Sequence, residues 1–524
     1  MSNTNPNSPL QVFHGAIQAA TYRDQRVPSY AGNPLIEALP DIRSSEDAAK
    51  LMAYHPRHNP SGRKLPPEIR VHLVQDAMHF FEPLPVHVDL EQRIARMIRD
   101  GYAGRNPLAR QHWQDLDQRV EAILQSGGIP LRTSAASGFS IIGLPGVGKT
   151  LTVERILQLY PQILEHSSYR GRPLPRIQIV WLKLTCPFDA SIKGLCLAFF
   201  QAVDDLLGTD YYRNYAGSGR RTVDDLIPAM ARVAWIHCLG MLAIDEVQHL
   251  NNARSGGADR MLSFFLQLIN TLGLPVLLIG TYAALPVLSR ELRQIRRSSG
   301  LGDLIWERMA NDEVWRLFIE ALCRYQYVRT PAPPTQELMG VLYDESQGIT
   351  DFAVKIFVPA QVRAIVTGVE TITKALIRSV AHDSLRLARP VLQALRTGNK
   401  AALATMSDIH PIDIRSAIHD MQFARLARSL GPKTEITSGN TPQFAAQSEI
   451  VVNPPGSSAE ALIAAEDLLR NKIRKPKKAE DDSRCLLIQV AQAGKRQGKS
   501  AHDSLAGAGL IKAMLGPPET HAIG

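Results

Sequence analysis

The sequence predicts an α/β protein in which a parallel sheet is covered by helices on both faces and followed by an all-helical region. Three observations lead there. Apolar runs of strand length (Phe139 to Ile142, Ile177 to Leu184, Cys238 to Val247 and Pro275 to Thr281) are separated by helical patterning. Continuous apolar strands of this kind suit a parallel sheet buried on both sides. The first run opens into a glycine-rich loop, GLPGVGKT, and then a helix, while from Asn311 to about Gly398 the pattern is helical only.

Taken in order, the first twenty or so residues are polar and read as a mobile arm. Pro28, Pro34, Pro40, Pro56 and Pro60 follow and are expected to prevent long helices. Helix is expected from about Val86, where Leu90, Ile94, Met97 and Ile98 share one face, to Gly101 in the turn composition GYAGRNP. A second amphipathic helix is expected from Pro107 to Leu124. After the glycine-rich loop, Val153, Ile156, Leu157 and Tyr160 form the apolar face of a helix. Met261, Phe264, Phe265 and Leu268 do the same before the last core strand. Beyond Ala401 the chain turns to Ser, Gly, Pro and Gln, with basic clusters at Arg474, Lys475, Lys477, Lys478 and then Lys495, Arg496, Lys499. Such a composition reads as linker and largely flexible tail.

At 524 residues the chain is too long for one compact core, so two or three units are expected. Its 45% apolar content is ordinary for a globular protein, and its 6% aromatic content argues against a lectin or a base-stacking single-strand binder. Lys and Arg number 59 against 50 Asp and Glu, with a pI near 9.3. A basic balance points to nucleic acid or an anionic membrane as partner, or else to a positive tail on a neutral domain. The five cysteines contain no CxxC pair, which suits free thiols in a reducing cytoplasm. MSNTNPNSPL lacks the pattern of a signal peptide, and no run of roughly 18 apolar residues occurs, so a soluble cytoplasmic protein is expected.

The chemistry starts at Gly143-Leu-Pro-Gly146-Val147-Gly148-Lys149-Thr150, which fits G-x-x-x-x-G-K-[ST] without a mismatch. Its glycines let backbone N–H groups converge on phosphate oxygens, and the helix dipole behind them favours negative charge. Gly143, Gly146, Val147, Gly148, Lys149, Thr150 and Leu151 are therefore the expected ATP-binding residues. Lys149 would reach the β- and γ-phosphates and Thr150 would ligate Mg2+. Roughly a hundred residues on, MLAID ends a buried strand in Asp245 and Glu246. Two carboxylates there are costly unless they act. Asp245 would hold Mg2+ through water, and Glu246 would be the general base for the attacking water. Thr281, ending the next core strand, would contact the γ-phosphate or that water, or simply terminate the strand. Arg296 and Arg297 follow in LRQIRRSSG, either as an arginine finger for a neighbouring subunit or as a solvated helix end. His55 and His58 lack further ligands, and no GxSxG or HExxH occurs.

With both nucleotide motifs, a polar strand end and a helical segment behind them, the chain resembles an AAA+ ATPase. More narrowly it resembles the TnsC family, the ATP-dependent target-selection regulators of heteromeric transposases, related to TniB. The stretches that carry the match are YRDQRVPSYAGNPLIEALP (Tyr22 to Pro40), IRDGYAGRNP (Ile98 to Pro107), GLPGVGKT, MLAIDEVQHLNNARSGG (Met241 to Gly257), PVLLIGT, LRQIRRSSGLGDLIW (Leu292 to Trp306) and SQGITDFAVKIFVPAQVRA (Ser346 to Ala364). They cover about the first 400 residues, and the Tyr22–Pro40 and Ser346–Ala364 stretches are the narrowest signals. The resemblance implies an AAA+ P-loop NTPase core with a helical lid. The divisions are an N-terminal extension (1–105), the α/β nucleotide-binding domain (106–310), the lid (311–400) and a linker with a basic tail (401–524). It implies a ring or filament of identical subunits on double-stranded DNA, taking a signal from a TnsD/TniQ-like selector and activating TnsA/TnsB-like transposase subunits. By position, Arg296 and Arg297 would act in trans, and Lys355 falls in the sensor-two helix, where the more usual arginine is absent.

In such a ring, Arg170, Arg172 and Arg176 before the strand at Ile177 to Leu184, and Lys193 after it, are the expected DNA-phosphate contacts. Ordinary surface loops, with DNA on the tail around Lys475 to Lys478, are the alternative. Two other functions compete: a STAND-type switch acting on proteins only, and a clamp- or helicase-loader ATPase. The first should carry a long repeat or effector domain and the second a collar domain, and neither is visible in the sequence.

Overall fold

The computed structural model describes residues 16–109, 138–216, 221–254, 256–288 and 303–399. The chain divides into two compact units, Met1–Lys433 and Thr434–Gly524, and every described residue lies in the first. Most of the expected Pro107–Leu124 helix, Arg296, Arg297 and the basic tail fall outside the described residues.

A short strand β1 (Ile17–Ala19) is followed by helices α1 (Pro34–Glu37), α2 (Ser45–Met52), α3 (Pro67–Gln75) and α4 (Pro85–Ala103). No long helix forms between Pro28 and Pro60, as expected: α1 has four residues and α2 eight. Pro34, Pro67 and Pro85 occupy first-turn positions, where a missing N–H costs nothing and the fixed φ is already helical. α4 matches the expected periodicity, with Leu90, Ile94, Met97 and Ile98 all buried.

The core begins with β2 (Phe139–Gly143) and α5 (Lys149–Leu157), continues through the hairpin β3 (Ile163–Tyr169) and β4 (Arg172–Ile179), and reaches β5 (Trp181–Thr185). Next come α6 (Ile192–Leu207), α7 (Tyr211–Ala216), α8 (Val223–Ile236), β6 (Met241–Asp245), α9 (Gly257–Asn270), β7 (Val276–Gly280) and β8 (Leu304–Trp306). Among the described residues the main sheet runs β5-β6-β7-β2-β8, with every neighbouring pair parallel. Its strands alternate between two apolar cores, as a period of two requires. Met241, Ala243, Leu277 and Ile279 face one core, and Leu242, Ile244, Val276 and Leu278 face the other. The sheet is thus covered on both sides, as the apolar runs predicted.

Ile177 to Leu184 is not one strand, however. β4 pairs antiparallel with β3 in a separate sheet of order β1-β3-β4, and only β5 joins the main sheet. The change of partner occurs at Ile179 and Val180, whose N–H groups donate to the His237 and Gln162 carbonyls at 2.8 Å. The hairpin turns through Arg170 (φ 49°) and Gly171 (φ 75°), the two positive φ values of a tight two-residue loop.

Behind the sheet lie α10 (Glu313–Leu322), α11 (Gln336–Ser346), α12 (Thr350–Thr367), α13 (Lys374–Ser384) and α14 (Arg389–Thr397), the helical region that the pattern predicted. The N-terminal helices, α5 and this helical region share one hydrophobic core. Arg70, fully buried, ties the ends together: its guanidinium donates to both Glu370 carboxylate oxygens, at 2.7 and 2.6 Å, and to the Tyr327 carbonyl at 3.0 Å. No helix among the described residues is long and apolar enough to cross a membrane.

Candidate active site

β2 delivers the chain to the loop Leu144–Gly148 at the carboxyl edge of the sheet, where parallel α/β sheets bind ligands. Gly146 (φ 80°) and Gly148 (φ 99°) take left-handed conformations that a side chain resists, and the loop wraps back so that α5 starts at Lys149. Lys149 is only 8% exposed, and its ammonium donates to the carbonyls of Gly143 at 3.0 Å and Leu144 at 2.7 Å. Pro145 through Lys149 line a cleft of about 310 Å³.

β6 and β7 bring the second half of the site. β7 lies between β2 and β6, so Thr281 at its end sits between the glycine-rich loop and Asp245. The Thr150 hydroxyl donates to Asp245 Oδ2 at 2.9 Å, and the Glu246 N–H donates to Oδ1 at 2.9 Å. Glu246 holds a left-handed backbone (φ 59°, ψ 38°), a conformation that costs a non-glycine residue on the order of 1 kcal/mol and is typical of working positions. Its carboxylate accepts from the Gln248 amide, whose own oxygen accepts the Thr281 N–H at 3.2 Å. Thr281 and Thr152 both line the cleft, and their hydroxyls are buried with no protein partner, which is costly for a polar atom.

Three groups were not foreseen from the sequence. Lys183, on β5, reaches Asp245 Oδ2 at 3.3 Å and Glu154 Oε1 at 2.6 Å. Burial works against its charge, but the bond to Glu154 and the field of Asp245 outweigh it, so its pKa lies above the ordinary lysine value. The second group is Met78, Phe80, Phe81, Leu84 and His87 from the N-terminal segment, which together with the Glu82 carboxylate form a largely apolar part of the cleft lining. Burial, helped by the Arg155 charge, pushes His87 down to about 3, so its ring is neutral at physiological pH. Nδ1 accepts the Leu84 N–H at 3.0 Å, which leaves the proton on Nε2. The ring stacks on Phe81 at 4.8 Å. The third is the start of α12: Thr350, Asp351 and Val354 line the cleft, and the Asp351 N–H donates to the Gly146 carbonyl at 3.3 Å. Burial raises the Asp351 carboxyl, although Lys355 lies 2.6 Å away. Lys355 is therefore engaged with Asp351 and is not among the cleft-lining residues.

Of the expected nucleotide residues, Gly146 through Leu151, Asp245, Glu246 and Thr281 converge on this cleft, while Gly143 lies behind it, holding Lys149. The expected DNA residues lie on two elements, the β3–β4 hairpin and α6. Arg170 lies in the hairpin turn, Arg172 begins β4 and Arg176 lies along it in the small sheet, whereas Lys193 is in the first turn of α6. Arg170 is 3.0 Å from the buried Glu37 carboxylate, which also accepts from the Tyr169 hydroxyl at 2.8 Å. The arrangement can hold a chain of phosphates on backbone N–H groups and a lysine, offer hard oxygen donors to a cation, and set a carboxylate beside a water site.

Residues 132–288 match the AAA domain family. No curated protein matches the chain. Among solved structures the chain is similar to the Aeropyrum pernix ORC2 protein in its ADPNP–ADP complexes, at 14% identity and a TM-score of 0.32, covering 62% of this chain and 87% of that one. It is similar to a Walker-type ATPase of Pyrococcus abyssi at 14% identity and a TM-score of 0.32, covering 60% and 90%. It is also similar to Cdc6p from Pyrobaculum aerophilum at 12% identity and a TM-score of 0.33, covering 71% and 88%. The match to the AAA domain family spans β2, its glycine-rich loop, β6 with its two carboxylates, and β7, the strands of the AAA+ P-loop fold that carry the cleft.

Proposed function

We propose that the protein hydrolyses ATP in the cleft and uses the nucleotide as a switch on double-stranded DNA, as a regulator that directs transposition. The observation that carries the ATPase reading is the convergence of Lys149 and Thr150 from the start of α5 with Asp245, Glu246 and Thr281 from the ends of β6 and β7 on one cleft. Backbone N–H groups of the loop and Lys149 bind the phosphates, and the largely apolar part at Phe81 and His87 takes the base. Thr281 and Thr152 offer their partnerless hydroxyls to the phosphate or the attacking water. Glu246 takes the proton of that water while Gln248 fixes its carboxylate. The Thr150 hydroxyl and Asp245 carboxylate are hard oxygen donors 2.9 Å apart, a set that suits Mg2+. When bound, Mg2+ would neutralise developing charge on the transferred phosphoryl group.

The transposition reading rests on the resemblance to the TnsC family in the Tyr22–Pro40 and Ser346–Ala364 stretches. The second of these includes Thr350 and Asp351 on the phosphate loop, which supports coupling of nucleotide to the helical lid. The proposed partners are duplex DNA, further copies of this chain, a target selector and transposase subunits. A gel shift on random duplex DNA, with and without a non-hydrolysable ATP analogue, tests it. ATP-dependent, sequence-indifferent binding is expected. Intact ATPase without DNA binding under either condition would overturn the DNA role and leave a switch acting on proteins.

A further inference from the structure

We propose that Lys183 is a positioning residue that sets how tightly Asp245 and Thr150 hold a divalent cation, an inference that rests on the ATP-site reading above. In the parallel register Lys183 stands opposite Ala243 and Thr185 opposite Asp245. Residues two apart on a strand share a face. Ala243 belongs to the core that includes Val153, Ile156 and Leu157 of α5, so Lys183 and Asp245 both rise under α5. There the Lys183 ammonium bridges Glu154 Oε1 at 2.6 Å and Asp245 Oδ2 at 3.3 Å. The lysine side chain is 22% exposed and that of Asp245 7%, so the pair is largely shielded from solvent and salt.

Asp245 Oδ2 is the oxygen that also accepts the Thr150 hydroxyl. Any divalent cation drawn to these two residues shares Oδ2 with a fixed positive charge. Lys183 therefore aims the carboxylate and weakens its hold on the metal. Glu154 acts in the opposite sense by drawing the ammonium toward α5. The three charges form a balance in which the lysine keeps Asp245 ordered while preventing over-tight retention of the cation with the product nucleotide.

The balance makes two predictions of opposite sign. Lys183→Met keeps the aliphatic stem and removes the charge, and Mn2+ should bind roughly tenfold tighter in the presence of ADP. Glu154→Gln leaves the full lysine charge on Asp245, and Mn2+ should bind several-fold more weakly. Lys183→Arg, which keeps the charge, should stay near wild type. The measurement is an electron paramagnetic resonance titration of Mn2+ on the full chain with saturating ADP, and it needs no turnover. A role in packing alone would move both variants the same way, so shifts of equal sign, or no shift, overturn the proposal. If Lys183→Met does not fold, Glu154→Gln decides by itself, because weaker binding is required of it. Wild type that takes up no Mn2+ with ADP overturns the ATP-site reading and this inference together. Wild type that does, with both variants equal to it, overturns only the role of Lys183.

Discussion

At the scale of the residue, the cleft separates binding from chemistry. Lys149 is the charge that meets the phosphates, so Lys149→Ala is expected to abolish ATP binding, checked by fluorescent-nucleotide titration, and ATP-dependent DNA binding with it. Glu246→Gln leaves the loop and Lys149 intact but supplies an amide that cannot take a proton. Nucleotide affinity should be retained, steady-state turnover should fall by at least about a hundredfold, and DNA complexes should live longer. Unchanged turnover would remove Glu246 as the base. Gln248 touches both Glu246 and the Thr281 N–H, so its role is to aim rather than to react. Gln248→Ala should lower kcat roughly tenfold with nucleotide affinity unchanged, since misplacing a reacting group by a fraction of an ångström is enough.

At the scale of the element, two long-range ties decide how the helices meet. Arg70 on α3 has no exposed side-chain surface, and Glu370 beyond α12 accepts both of its forks. Glu370→Gln would strand the guanidinium and should cost about 3 kcal/mol of stability by denaturant titration. The bond to Arg70 holds the Glu370 carboxyl below its ordinary value. Its contribution is therefore complete above the unfolded carboxylate value of about 4.3 and is lost as pH falls through the lowered folded value. The variant should lose that part of the acid dependence. The β3–β4 hairpin is the second tie, because Arg170 and Tyr169 at its turn hold the buried Glu37 of α1. Arg172, exposed on the same turn, is thus the cleaner probe of a DNA path: Arg172→Ala should flatten the log–log salt slope of DNA affinity by about one per contact, whereas Arg170→Ala also disturbs Glu37. Wild-type slope and affinity for Arg172→Ala would move the path elsewhere.

At the scale of the whole molecule, the proposed ATPase would complete its catalytic site with a neighbouring copy. Arg296 and Arg297 remain the proposed trans pair. Mixing a Lys149→Ala chain with an Arg296→Ala/Arg297→Ala chain should restore some ATPase activity, because one intact interface forms from two defective subunits. No activity at any ratio, with assembly intact, would exclude a trans role.

The sequence by itself determined the α/β class, the glycine-rich loop with Lys149 and Thr150, and the acidic pair on β6. Each is written in contiguous residues, where local spacing sets the geometry. A buried apolar strand ending in Asp and Glu carries its meaning without its neighbours. What only the tertiary structure decided depends on parts of the chain far apart in sequence. Lys183 reads as one lysine in an apolar run until the register of β5 against β6 sets it below α5. His87 reads only as a position in the helix that starts near Val86, and Phe81 carries no signal of its own, until packing of α4 against α5 turns them into a wall of the cleft. The run from Ile177 to Leu184 reads as one strand because it is largely apolar throughout, and a change of hydrogen-bonding partner at Ile179 and Val180 leaves no mark in composition. Local patterns specify which backbone forms, but the partner of a strand, the register of a pair and the neighbours of a buried charge are settled by packing across the fold.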